Sequence, residues 1–139
     1  MANLQVKIER TNQKVHFNGV SESNQDISIP FDFAPPIGDG KGFAGLELLL
    51  MSFVGCVSTA IVFLIGRLGK SVSSYTAEAE GIRTEQPLGL KEISMKIHIK
   101  SDDITETDME NAIKQAETIS PVWQAVKNNI TVHIYFDLL

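Results

Sequence analysis

With 139 residues, 43% hydrophobic and 21% charged, the chain has the size and composition of one domain able to bury a real core. A formal net charge of −5, with lysines and arginines scattered singly, leaves no basic stripe and argues against a nucleic-acid partner. A single cysteine excludes an intrachain disulfide and fits a reducing, cytoplasmic compartment.

In chain order, Leu4, Val6 and Ile8 alternate with Gln5, Lys7 and Glu9, the pattern of a half-buried strand rather than of a secretory leader. Asn12-Gln13 reads as a turn, Val15 and Phe17 as a returning strand, and Ile27, Ile29 and Phe31 as a third strand. Together they predict an antiparallel meander. The segment APPIGDGKG, Ala34–Gly42, is rich in proline and glycine and reads as a loop.

The 19 residues from Leu48 to Gly66 carry no charge, and Arg67, Gly69 and Lys70 close the run. Cations and a glycine at that end suit a helix C-terminus. The length would also allow a membrane span. Ser52, Gly55, Cys56, Ser58 and Thr59 make the middle small and weakly polar, the flanks are strand-rich, and no aromatic belt borders the run. A buried core helix is therefore expected, with no membrane partner. A chain this short cannot cover such a helix on every side, so a homodimer with these helices central is also expected.

Val72–Thr84 and Leu88–Lys100 predict two strands joined by a turn at Gln86-Pro87. Thr105 and Asp108 resemble a capping box, opening a helix through Met109, Ala112, Ile113 and Ala116. Ser120-Pro121 combines a favoured N-cap with a favoured first helical residue, so a short helix follows from Val122 to about Lys127. Ile130, Val132, Ile134 and Phe136 form a last strand. The order βββ-α-ββ-αα-β predicts a single α+β domain over residues 1–139, its antiparallel sheets packed around a long central helix.

Motifs for phosphate binding, zinc ligation and serine-elbow hydrolysis are missing from the sequence. His16, His98 and His133 fall at polar phases of strands and read as surface or edge residues, so no metal or other cofactor is expected. Cys56 remains. Its neighbours one helical turn away are Ser52, Phe53, Thr59 and Ala60, none of them charged. Arg67 shares its face but lies about 16 Å along the axis. Spacing alone favours a buried packing cysteine over a nucleophile.

The stretch Glu47-Leu-Leu-Leu-Met-Ser-Phe-Val-Gly-Cys56 resembles the central-helix motif E-L-(L/V)-L-M-x-x-x-G-C of the OsmC/Ohr family, with single-domain OsmC-like proteins the nearest pattern. Ala116-Glu117-Thr118-Ile119-Ser120-Pro121-Val122 resembles that family's second motif, A-E-x-x-C-(P/S)-V, and the element order agrees along nearly the whole chain. The resemblance implies an OsmC-like fold in an intertwined dimer and a stress-related, peroxiredoxin-like activity against organic hydroperoxides. It implies Cys56 as the attacking thiol, with an arginine and a glutamate supporting it. Arg10 and Glu47 are the candidates for those two roles. The subgroup's glutamate would fall at Leu46, ten residues before Cys56, whereas Glu47 is nine before it, a rotation of about 100° on a helix. The second, resolving cysteine of the family corresponds to Ser120, which cannot form a disulfide.

Two functions follow. The first is a one-cysteine, thiol-dependent peroxidase in which an external thiol resolves oxidised Cys56. The alternative is a non-catalytic module binding a small apolar ligand in an interface cleft lined by Ser52, Phe53, Thr59, Phe63 and Trp123.

Overall fold

A computed structural model describes residues 2–139. The elements run β1 (Val6–Arg10), β2 (Phe17–Ser21), β3 (Asn24–Phe31), α1 (Gly45–Arg67), β4 (Ser74–Glu85), β5 (Leu88–Lys100), α2 (Glu106–Ile119), α3 (Pro121–Val126) and β6 (Thr131–Leu138). This is the α+β order expected from the sequence. The chain divides into two compact units, residues 1–48 and 49–139, the boundary falling in the first turns of α1.

In the first unit, β1, β2 and β3 form an antiparallel sheet in that order, with a register irregularity between Gly19 and Ser21. The apolar positions alternate as expected, but Val6, Ile8, Ile27 and Ile29 are exposed in the single chain. After β3 the chain wraps around the buried carboxylate of Asp32, which accepts from the backbone N–H groups of Phe33 at 2.7 Å, Lys41 at 3.0 Å and Asp39 at 3.3 Å. Three donors to one carboxylate hold this glycine-rich loop in a single shape. The Lys41 N–H foremost, helped by those of Phe33 and Asp39, holds the Asp32 carboxyl below the usual range against the opposing effect of burial. Gly38 packs so closely that an added Cβ would stand 2.2 Å from Asp32 Oδ1 and 2.3 Å from the Phe33 carbonyl oxygen.

In the second unit, β5 is central, with β4 antiparallel on one side and β6 parallel on the other. The parallel pair corrects the expectation of purely antiparallel sheets. The connection from β5 to β6 runs through α2 and α3, and such a helical crossover returns the chain to the end where the previous strand began. Ile93, Met95, Ile97 and Ile99 point from β5 into the core, one every second residue. Phe53, Val57, Ala60, Ile61 and Ile65 form the buried stripe of α1, and Met109, Ala112 and Ala116 that of α2. These side chains make one apolar cluster, each large member contributing about 1.5–3 kcal/mol by leaving water.

Helix α1 has the length and composition of a membrane span, yet its buried stripe belongs to this core. Its opposite face, including Met51, Val62 and Phe63, is exposed in the single chain. The helix stops in a Schellman turn: Gly69 adopts φ +74°, and the Lys70 N–H donates to the Ile65 carbonyl at 3.3 Å. The Lys70 ammonium then pairs with Asp108. Asp108 also accepts from the Thr105 N–H at 2.9 Å while Thr105 Oγ1 accepts from the Asp108 N–H at 3.1 Å, the predicted capping box. Lys70 and these bonds hold the Asp108 carboxyl below the usual carboxylate range.

Candidate functional site

Cys56 lies on α1 where the buried and exposed faces meet. One turn to either side, Phe53 and Ala60 face the core, while Ser52 and Thr59 face outward. The thiol is half-buried, a position that a small reagent can reach from the exposed side.

The partner of the thiol comes from the α2–α3 junction, 64 residues along the chain. Pro121 disfavours helical geometry at the residue before it, and Ser120 is extended at φ −86°, ψ 111°. Ser120 therefore ends α2, its N–H donating to the Ala116 carbonyl at 2.9 Å, and starts α3 as its N-cap. The fully buried Ser120 hydroxyl accepts from the Trp123 N–H at 3.4 Å and donates to Cys56 Sγ at 3.1 Å. Trp123 meets Phe53 edge to face, ring centroids 5.7 Å apart and planes at 66°. Phe53 precedes Cys56 by three residues and Trp123 follows Ser120 by three. One helix turn on each element thus carries both the aromatic lock and the hydroxyl–sulfur contact.

The structure separates the remaining candidates. Phe53 and Trp123 are core residues. Ser52 and Thr59 are exposed, and Thr59 Oγ1 donates to the Gly55 carbonyl at 2.8 Å instead of approaching the sulfur. Thr59 and Phe63, with Ser58 and Val62, line a shallow open groove on the outer face of α1. Phe63 lies under the Arg67 guanidinium, 5.8 Å from its ring centroid. The expected five-residue cleft lining is therefore divided between core and surface. The Glu47 carboxylate accepts from the Ala44 N–H at 2.9 Å, closing the first turn of α1 where the helix dipole favours an anion. Arg10 donates to the Gln13 and Lys14 carbonyls of its own hairpin turn.

A feature the sequence reading missed is Tyr75 on β4, whose hydroxyl donates to Ser58 Oγ at 2.8 Å, two residues beyond Cys56. Burial pushes its phenol up, so it stays protonated at neutral pH. The alternating pattern marks Tyr75 as inward-facing, but only the packed sheet reveals its partner. His98 and His133 lie on the outer sheet face against Glu78 at 3.0 Å and Glu92 at 2.8 Å, respectively. His16 precedes β2 and meets the Thr11 hydroxyl. Among the described residues no group of three His, Cys, Asp or Glu side chains is placed to hold a metal ion.

Known structures share this architecture. A hypothetical protein from Aquifex aeolicus superposes with a TM-score of 0.83 at 21% identity, covering 100% of this chain and 98% of that one. An OsmC-like protein from Mycoplasma pneumoniae gives 0.83 at 17% identity over 99% and 98% of the two chains. An organic hydroperoxide resistance protein from Legionella pneumophila gives 0.71 at 12% identity over 99% and 98%. At these identities the likeness concerns the fold. A comparison with curated protein sequences returned no match. The family description "OsmC-like protein" matches residues 38–134, a span containing both the central-helix motif and Ser120, and the chain belongs to the OsmC-like protein family.

Proposed function

We propose that this protein is a one-cysteine thiol peroxidase that reduces organic hydroperoxides through Cys56. The observation that carries the reading is the half-buried Cys56 thiol with a hydrogen-bond donor, Ser120, 3.1 Å from its sulfur. A donor at that distance stabilises a thiolate, the form of sulfur that attacks a peroxide. Family membership and the hydroperoxide resistance named for the Legionella neighbour support the substrate class.

In the reaction, the Cys56 thiolate attacks one peroxide oxygen. An S–O bond forms as the O–O bond breaks, and the departing alkoxide takes a proton to become the alcohol. Sulfur is oxidised by two electrons to the sulfenic acid while the peroxide is reduced. With serine at position 120, an external thiol condenses with the sulfenic acid, releasing water and leaving a mixed disulfide. A second external thiol then displaces Cys56 and departs as the disulfide.

The working form is a homodimer. Exposed Met51, Val62 and Phe63 on α1, with Val6, Ile8 and Ile27 on the first sheet, are large apolar groups whose burial a second copy would accomplish. A cation supplied by the second copy is the charge that would assist Cys56. A monomeric solution mass at micromolar protein would remove the dimer.

The test is chemical trapping. Stoichiometric alkyl hydroperoxide should convert Cys56 to a dimedone-reactive sulfenic acid, and excess small thiol should restore the free thiol. Oxidation no faster than that of free cysteine would reject the peroxidase reading. Binding of apolar ligands that is unchanged in Cys56→Ser, combined with an inert thiol, would favour the binding module instead.

A further inference from the structure

We infer that Ser120 is a positioning residue for Cys56: its hydroxyl, oriented by the start of α3, aims a proton donor at the sulfur. This inference rests on the peroxidase reading for its purpose but not for its geometry.

A serine hydroxyl carries one donor and two acceptor sites, and its hydrogen rotates to suit its surroundings. At Ser120 the Trp123 N–H approaches the oxygen at 3.4 Å and uses an acceptor site. The hydroxyl hydrogen remains to be donated, and Cys56 Sγ stands at 3.1 Å. Ser120 is almost fully buried, so water does not compete for that hydrogen. The Phe53–Trp123 contact and the extended geometry imposed by Pro121 keep the oxygen in place. Capping and sulfur binding are thus one arrangement, the cap setting the direction in which the hydroxyl points.

The donor has two consequences. It favours the thiolate over the thiol before attack, because a hydrogen bond to a charged acceptor is stronger than one to a neutral acceptor. After attack, the hydrogen-bond partner of the sulfur is an alcohol, which cannot displace it as a second cysteine would, so resolution falls to a thiol from solution.

A structural cap and a sulfur donor are separable by substitution. Glycine is nearly as good an N-cap as serine but has no hydroxyl, alanine loses both functions, and threonine retains both. The pH profile of iodoacetamide alkylation of Cys56 is compared in wild type and in Ser120→Gly, Ser120→Ala and Ser120→Thr, with thermal melting of each. In both Gly and Ala variants Cys56 should alkylate several-fold more slowly at neutral pH, the effect of losing one hydrogen bond to a charged group. Threonine should restore the wild-type profile, and glycine should melt closer to wild type than alanine. Profiles that coincide in a folded Ser120→Gly variant and wild type would overturn the inference. So would a shift seen in alanine alone, which would follow the cap and not the donor. Alkylation needs no peroxide, so an inactive enzyme with shifted profiles would reject the peroxidase reading and leave the role of Ser120 standing.

Discussion

The rings of Phe53 and Trp123 meet edge to face at 5.7 Å, and this contact fastens α3 to α1 at the level of the only cysteine. Each ring lies one helical turn from a member of the Ser120–Cys56 pair. Replacing Phe53 by alanine removes a fully buried ring. It should lower the unfolding free energy by about 3–5 kcal/mol in chemical denaturation. In protein that remains folded, the alkylation profile of Cys56 should move toward that of Ser120→Gly, because the Ser120 oxygen is no longer held at the sulfur. Phe53→Leu, which retains more of the buried apolar volume, should show smaller changes in both measurements.

Acid sensitivity of the second unit should depend on Asp108. Lys70 and the capping box depress its folded-state pKa, so its contribution is fully present above the unfolded carboxylate value of about 3.9. That contribution is lost as pH falls below this value and through the depressed folded one. Asp108→Asn should therefore be less stable than wild type at pH 7. Its stability should fall less steeply than that of wild type between about pH 4 and 2. Urea midpoints measured across that range check the sign.

In the first unit the decisive small residue is Gly38. A methyl group there would stand 2.2 Å from the Asp32 carboxylate, so Gly38→Ala must displace either the carboxylate or the Phe33 carbonyl. A cost of about 1–3 kcal/mol is expected for such overpacking. Faster amide exchange at Asp39 and Lys41, whose N–H groups donate to Asp32, should accompany it.

Much of this architecture is legible in the residues. Nineteen uncharged positions closed by Arg67 and Gly69 announce α1, Thr105 with Asp108 announces α2, and Ser120-Pro121 marks the junction before α3. These signals are local, and local physics decides them. The direction of β6 is not legible, since alternation in Val132, Ile134 and Phe136 is the same for a parallel or an antiparallel strand. Periodicity also marks Val6 and Ile8 as one apolar face without saying what covers it.

At the site, Cys56 and Ser120 were singled out from motifs, but their 3.1 Å contact spans 64 residues and depends on tertiary packing. Aromatic spacing could not separate Phe53, which is core, from Phe63, which is surface. Glu47 matches the motif in type, but its bond to the Ala44 N–H places it at the first turn of α1 in a capping role. The bonds of Arg10 to Gln13 and Lys14 depend on how the hairpin turn folds, which residue type alone does not disclose.

The most direct test is the steady-state rate of organic hydroperoxide consumption with a small thiol reductant, measured for wild type and Cys56→Ala at equal concentration. Consumption by wild type should be catalytic, exceed that of the reductant alone, and continue through many turnovers without an intramolecular disulfide. Cys56→Ala should return it to the background rate. Equal rates in wild type, in Cys56→Ala and without protein, over several alkyl hydroperoxides and thiols, would contradict the peroxidase account.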